Sequence, residues 1–221
     1  MVSSKYAFLG ALAFTIIVFV FGLLFGFFIE DTRSKSLEEN LWKSEISLLD
    51  EQTRENLFGV FDVRCNITES NLFSFADRIY EESKKLEKYD SISKFSDSLR
   101  VVHKRYDLLR VMLWTEAIEL KKTCKSNFHT VVYFFDYGNT DIETRAKQLT
   151  YSKLLAELKS KYGNSVLLIP IAANLNLSSV DIIMSSYNVS SRPFILIDEN
   201  ISFSGLPTFS ELENSISKHN K

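Results

Sequence analysis

Residues Tyr187 to Asn200 read YNVSSRPFILIDEN, and the fold turns on how this stretch is read. Proline has no N–H to place in a hydrogen-bond ladder, so Pro193 suits the first residue of a strand. The apolar run from Phe194 to Ile197 then continues as that strand. A tight turn expected around Glu199–Asn200 leads into a second short strand, ISFS. Upstream, HTVVYFFD is β-branched and aromatic and predicts a buried strand. DIETRAKQLTYSKLLAELKSKYG predicts a helix with Leu149, Leu154, Leu155 and Leu158 as apolar positions and Gly163 as its stop. SVLLIPIAA reads as another strand, SSVDIIMSSY as a short helix and TFSELENSIS as a last helix. The order is βαβαββα, an α/β domain over residues 128–218.

This order, with YNVSSRPFILIDE followed by FSGLPTFSELENSI, resembles the thioredoxin-like superfamily. Tyr187, Val189, Pro193, Phe194 to Ile197 and Gly205 occupy the places that family gives to a helix end, a strand-opening proline, a buried strand and a glycine before the last helix. With the anchor and helical segment described below, the chain is similar to membrane-anchored prokaryotic proteins of this kind, archaeal ones among them. The resemblance implies a cis bond between Arg192 and Pro193. It also implies that the proline loop faces the start of the first helix of the fold, where active relatives carry Cys-x-x-Cys. The matching stretch here, YGNTDIET from Tyr137 to Thr144, has no cysteine. Thiol–disulfide exchange needs a thiolate to attack sulfur, and Thr140, Asp141 and Glu143 cannot supply one. The resemblance therefore implies a redox-inactive domain, kept either as a scaffold or as a peptide-binding surface. In the second case Tyr137, Asn139, Thr140, Asp141, Arg192, Pro193 and Phe194 would line a shallow groove, with Arg192 favouring an acidic or polar partner or pointing to water.

At the other end of the chain, Tyr6 to Ile29 is an uncharged run, YAFLGALAFTIIVFVFGLLFGFFI. As a helix at about 1.5 Å per residue it reaches roughly 36 Å, enough to cross a hydrocarbon core of about 30 Å. The run ends in FFIEDTRSK without a small-residue cleavage site, so residues 6–29 are expected to remain as an anchor in the lipid bilayer behind a short tail, 1–5. Lysine and arginine do not decide the orientation: Lys5 stands on one side and Arg33 and Lys35 on the other. Four N-x-Ser/Thr sequons, at Asn66, Asn176, Asn188 and Asn200, and an even pair of cysteines favour a cytoplasmic N-terminus with the C-terminal part outside. A glycan on Asn188 would sit near the proline loop.

Residues 34–125 read as a helical spacer of about three helices. Ser36 and Glu39 form a capping-box start, Asn66 or Thr68 is placed to cap a second helix, and Asp90 or Ser91 a third. In the third, Ile92, Phe95, Leu99, Val102, Tyr106, Leu109 and Leu113 recur at alternating three and four residues, continuing through Ala117, Leu120 and Cys124. Leu72, Phe75, Ile79 and Leu86 give the second a matching face. These faces either pack on each other and on the following domain, or leave a coiled-coil seam over 92–124 for a partner, including a second copy of the chain. Gly22 and Gly26 in the anchor add slight weight to a homodimer.

Cys65 is expected in a turn between the first two helices, and Cys124 ends the third. A bridge between them would enclose about 60 residues and contribute roughly 4 kcal/mol on chain-entropy grounds. The alternative is two unpaired thiols packed as small hydrophobes. A thiol–disulfide enzyme using these two cysteines stays open as a second function. Net charge is −2, and no basic patch interleaved with aromatics speaks for nucleic acid. His103, His129 and His219 have no metal-ligand spacing, and no glycine cluster resembles a phosphate loop, so no cofactor is expected.

Overall fold

The structure, a computed structural model, describes residues 8–10, 12–29, 42, 45–46, 49–50, 53, 65–90, 96–138 and 141–217. The chain divides into two compact units, Met1–Asp50 and Glu51–Lys221. The first contains helix α1, Phe8–Ile29, whose mean hydropathy of 2.8 and length of 22 residues suffice to cross a membrane. Ser36 and Glu39 lie outside the described residues.

The second unit begins with two helices, α2 (Cys65–Asp90) and α3 (Ser96–Cys124). There follow β1 (His129–Phe135), α4 (Ile142–Tyr162), a 3-10 turn at Gly163–Ser165, β2 (Val166–Ala172), α5 (Ser178–Ser186), β3 (Phe194–Ile197), β4 (Ile201–Phe203) and α6 (Phe209–Ser217). The sheet order is β2-β1-β3-β4. β1 and β2 run parallel from His129↔Val166 to Phe135↔Ala172. β3 returns antiparallel to β1, with Val131 opposite Ile197 and Phe134 opposite Phe194, and β4 pairs antiparallel with β3. This is the mixed α/β sheet that the thioredoxin-like resemblance implies, and Arg192–Pro193 is cis.

Side chains alternate across the sheet, because successive strand residues point to opposite faces. Val131, Tyr133, Ile195 and Ile197 join Tyr151, Leu155 and Leu158 of α4 and Leu212 and Ile216 of α6 in one buried core. Phe134 points the other way and meets Trp114 of α3, ring centroids 6.2 Å apart. Trp114 also stacks on Tyr187 at 5.7 Å. Both faces of β1 are therefore covered, which is why HTVVYFF carries no polar alternation.

α3 packs on α2 and on β2. Of its periodic stripe, Leu99, Tyr106, Leu109, Leu113, Ala117 and Leu120 are buried within the single chain, as are Leu72, Phe75, Ile79 and Leu86 of α2, while Val102 and Cys124 are half-buried. The stripe covers α2 and the sheet rather than forming an exposed coiled-coil seam; Ile92 and Phe95 lie outside the described residues. Burial of each of these large side chains is worth about 1.5–3 kcal/mol, and that gain favours contact within the chain.

Three boundaries differ from the sequence reading. Cys65 is the first residue of α2 rather than part of a turn, so Asn66 and Thr68 lie in its first turn. α2 runs through Asp90, so Asp90 belongs to that helix instead of capping α3; Ser91 lies outside the described residues, and α3 is described from Ser96. The β3–β4 turn is centred one residue earlier, on Asp198 (φ 47°) and Glu199 (φ 59°), and is closed by the Asn200 N–H donating to Ile197 O at 3.1 Å. Two successive positive φ values turn the chain within a three-residue loop, Asp198–Asn200, between the paired Ile197 and Ile201. They usually select Asn-Gly, and Asp-Glu bears them here because both side chains are held by other elements.

Candidate peptide-binding site

The loop after β1 is fixed from several directions. Gln148 of α4 donates its Nε2 to Asp136 O at 3.2 Å. Asn174, just beyond β2, accepts from Tyr137 N at Oδ1 and donates Nδ2 to Tyr137 O, both at 2.8 Å. The rings of His103 on α3 and Tyr137 lie 3.9 Å apart. Arg192, immediately before the cis proline, donates Nε to Asp136 Oδ1 at 2.6 Å. The Arg192 side chain is 33% exposed and that of Asp136 17%.

Tyr137, Arg192 and Pro193 thus belong to one end of the sheet, reached by the carboxyl end of β1 and the amino end of β3. Arg192 does not simply point to water, because Asp136 holds it. Pro193 is buried. Phe194 is 5% exposed and turns toward Phe134, so its ring packs in the interior instead of offering surface. Asp141 is exposed but spent as the N-cap of α4, accepting from Thr144 N at 2.9 Å and Thr144 Oγ1 at 2.7 Å. Those two bonds hold its carboxyl below the usual range. Asn139 and Thr140 lie outside the described residues. Asp136 is the member that sequence reasoning misses: it sits 56 residues from Arg192, and only the β1–β3 register brings them together.

Asp107 of α3 lies beneath this end, 1% exposed. Its carboxylate accepts from Ala172 N at 3.2 Å and from Arg110 Nη1 at 3.0 Å. Burial nevertheless dominates and pushes its pKa up to about 6.

A second polar cluster occupies the opposite end of β1. Asp198 accepts from Lys121 Nζ at 2.5 Å and Thr130 N at 3.0 Å, and pairs with His129 Nδ1 at 2.6 Å. Glu199 accepts from Trp114 Nε1 and Thr130 Oγ1, each at 2.7 Å. Burial alone would raise the Asp198 pKa, but the His129 and Lys121 contacts outweigh it and bring it to about 2. The cluster bolts α3 to the β3–β4 turn.

Both cysteines lie toward that far end. Cys65 and Cys124 form a disulfide with Cα atoms 5.6 Å apart, and the chain has no other cysteine. Cys124 precedes β1 and the Tyr137 loop follows it, so the bridge and the loop are separated by a seven-residue strand, roughly 20 Å. The sequon residues Asn66, Asn176, Asn188 and Asn200 are all exposed. No group of three His, Cys, Asp or Glu side chains is placed to hold a metal among the described residues.

No protein-family model matches this chain, and no curated protein does. Solved structures match part of it. One described as a malarial protein is 22% identical, covers 42% of this chain and 98% of its own, and has a TM-score of 0.33. The germline-specific thioredoxin Deadhead of Drosophila melanogaster is 17% identical over 48% of this chain and 90% of its own, TM-score 0.34. Thioredoxin O2 of Arabidopsis thaliana, in its oxidized state, is 15% identical over 50% and 90%, TM-score 0.34.

Proposed function

We propose that this chain is a single-pass membrane protein that displays a redox-inactive thioredoxin-like domain outside the cytoplasm, where it binds an extended segment of another protein. The observation that carries the reading is the disulfide. Both cysteines of the chain are spent on each other between helix ends, a strand's length from the loop where the fold places its thiols. What stands at that loop in place of a thiol is the Arg192–Asp136 ion pair beside the proline, charged surface that can engage a polar chain but cannot exchange a disulfide. The apolar helix Phe8–Ile29 supports the anchor. A bridged cysteine pair suits an oxidising compartment and so supports the sidedness.

Reduction of a model protein disulfide by the full chain in detergent tests the reading. With a dithiol as electron source, the rate should equal that of the dithiol alone. A faster rate abolished by Cys124→Ser would replace this reading with a thiol–disulfide oxidoreductase built on Cys65 and Cys124.

A further inference from the structure

Resting on the peptide-binding reading above, we propose that Arg192 sets the specificity of that surface, taking a carboxylate side chain from an extended acidic segment, and that Asp136 restrains it as an internal competitor. The guanidinium is held in place rather than free. Its Nε is committed to Asp136 Oδ1 at 2.6 Å, and Asp136 stands on a backbone that Gln148 fixes on one side while Asn174 fixes the next residue. Among the described residues, Asp136 is the only partner of the Arg192 side chain, so both terminal nitrogens keep their donors for a ligand. A planar guanidinium offers paired donors matched to a carboxylate. With one edge already fixed, little side-chain entropy remains to be lost on binding.

Three of the charges nearby are engaged within the chain. Asp141 caps α4, Glu143 pairs with Lys147, and Arg100 Nη2 donates to Asn174 O at 3.3 Å. Arg192, next to Pro193 and fixed in place by Asp136, is the group through which charge beside the proline would be read. Asp136 neutralises it in the resting protein, so an incoming carboxylate competes with one already in place. Removing the Asp136 charge leaves the site one unit more positive and favours an anionic ligand, whichever edge of the guanidinium that ligand takes.

The test uses the full chain in neutral detergent and three fluorescein-labelled decapeptides, read by anisotropy: alternating Glu and Ser, the same with Gln for Glu, and the same with Lys. The Glu peptide should bind about tenfold more tightly than the Gln peptide, as expected for one charge-assisted contact. Arg192→Gln should erase that difference, and Asp136→Asn should tighten the Glu peptide severalfold. Arg192→Lys, which keeps the charge without the fork, should fall between, and far-ultraviolet circular dichroism checks that each variant folds. If Glu and Gln peptides bind equally and Arg192→Gln changes nothing, the role of Arg192 is overturned while the binding surface stands. If no peptide binds, the surface itself is overturned, and Arg192 with it.

Discussion

Cys65 opens α2 and Cys124 closes α3, and the disulfide between them shuts the helical hairpin at the end that meets the sheet. The chain between the two cysteines is a closed loop whose entropy in the unfolded state is cut by the bridge. Replacing both by serine should cost about 4 kcal/mol in urea unfolding followed by circular dichroism. A loss below about 1 kcal/mol would mean that the unbridged unfolded chain is already restricted.

Trp114 ties α3 to the sheet through one indole N–H. Trp114→Phe keeps an aromatic ring against Phe134 and Tyr187 but removes the donor to Glu199. The expected cost is about 1–3 kcal/mol, because a partly buried carboxylate loses a partner. An unchanged melting midpoint would show that Thr130 and Lys121 suffice to hold the turn.

The 92–124 stripe makes a sharp distinction between packing and assembly. Leu109 is 1% exposed within the single chain. Leu109→Ala should therefore destabilise by about 2–5 kcal/mol, and Leu109→Asp should unfold the domain. A folded Leu109→Asp protein with a smaller sedimentation coefficient than the parent would instead place this residue at an interface between copies.

One buried and one half-buried carboxylate give stability opposite slopes with pH. Asp107 has a folded pKa of about 6, above its ordinary 3.8. Its contribution is present below about pH 4 and lost as pH rises through 6, up to ~3 kcal/mol. Asp198 sits at about 2 in the folded chain. Its contribution is present above about pH 4 and lost as pH falls through 2. Stability should therefore rise from pH 7 to about pH 4 and fall below it. Asp107→Asn should flatten the upper limb whatever it does to absolute stability, and an unchanged slope between pH 4 and 6 would refute the assignment.

Much of the β-rich half is readable along the chain because its signals are local. HTVVYFF, FILI and the Gly163 stop carry their own propensities, and each element appears where its residues place it. What is not readable depends on register. Asp136 meets Arg192 across 56 residues, and Trp114 meets Glu199 across 85; neither pairing leaves a mark in either neighbourhood. The hairpin is read one residue late because Asp198–Glu199 lacks the Asn or Gly that normally marks two positive φ values. Its tolerance comes from Lys121, His129, Thr130 and Trp114, residues supplied by α3 and β1. Phe194 looks like a groove residue next to its proline, yet strand alternation sends it toward Phe134.

Thiol labelling with a membrane-impermeant maleimide, on intact cells and on lysed membranes, with and without prior reduction, reads the bridge and the side of the membrane together. Neither cysteine should be labelled until a reductant is added, and labelling should then occur on intact cells. Labelling of both Cys65 and Cys124 without reductant, and only after lysis, would contradict both expectations by placing free thiols and the domain on the cytoplasmic side.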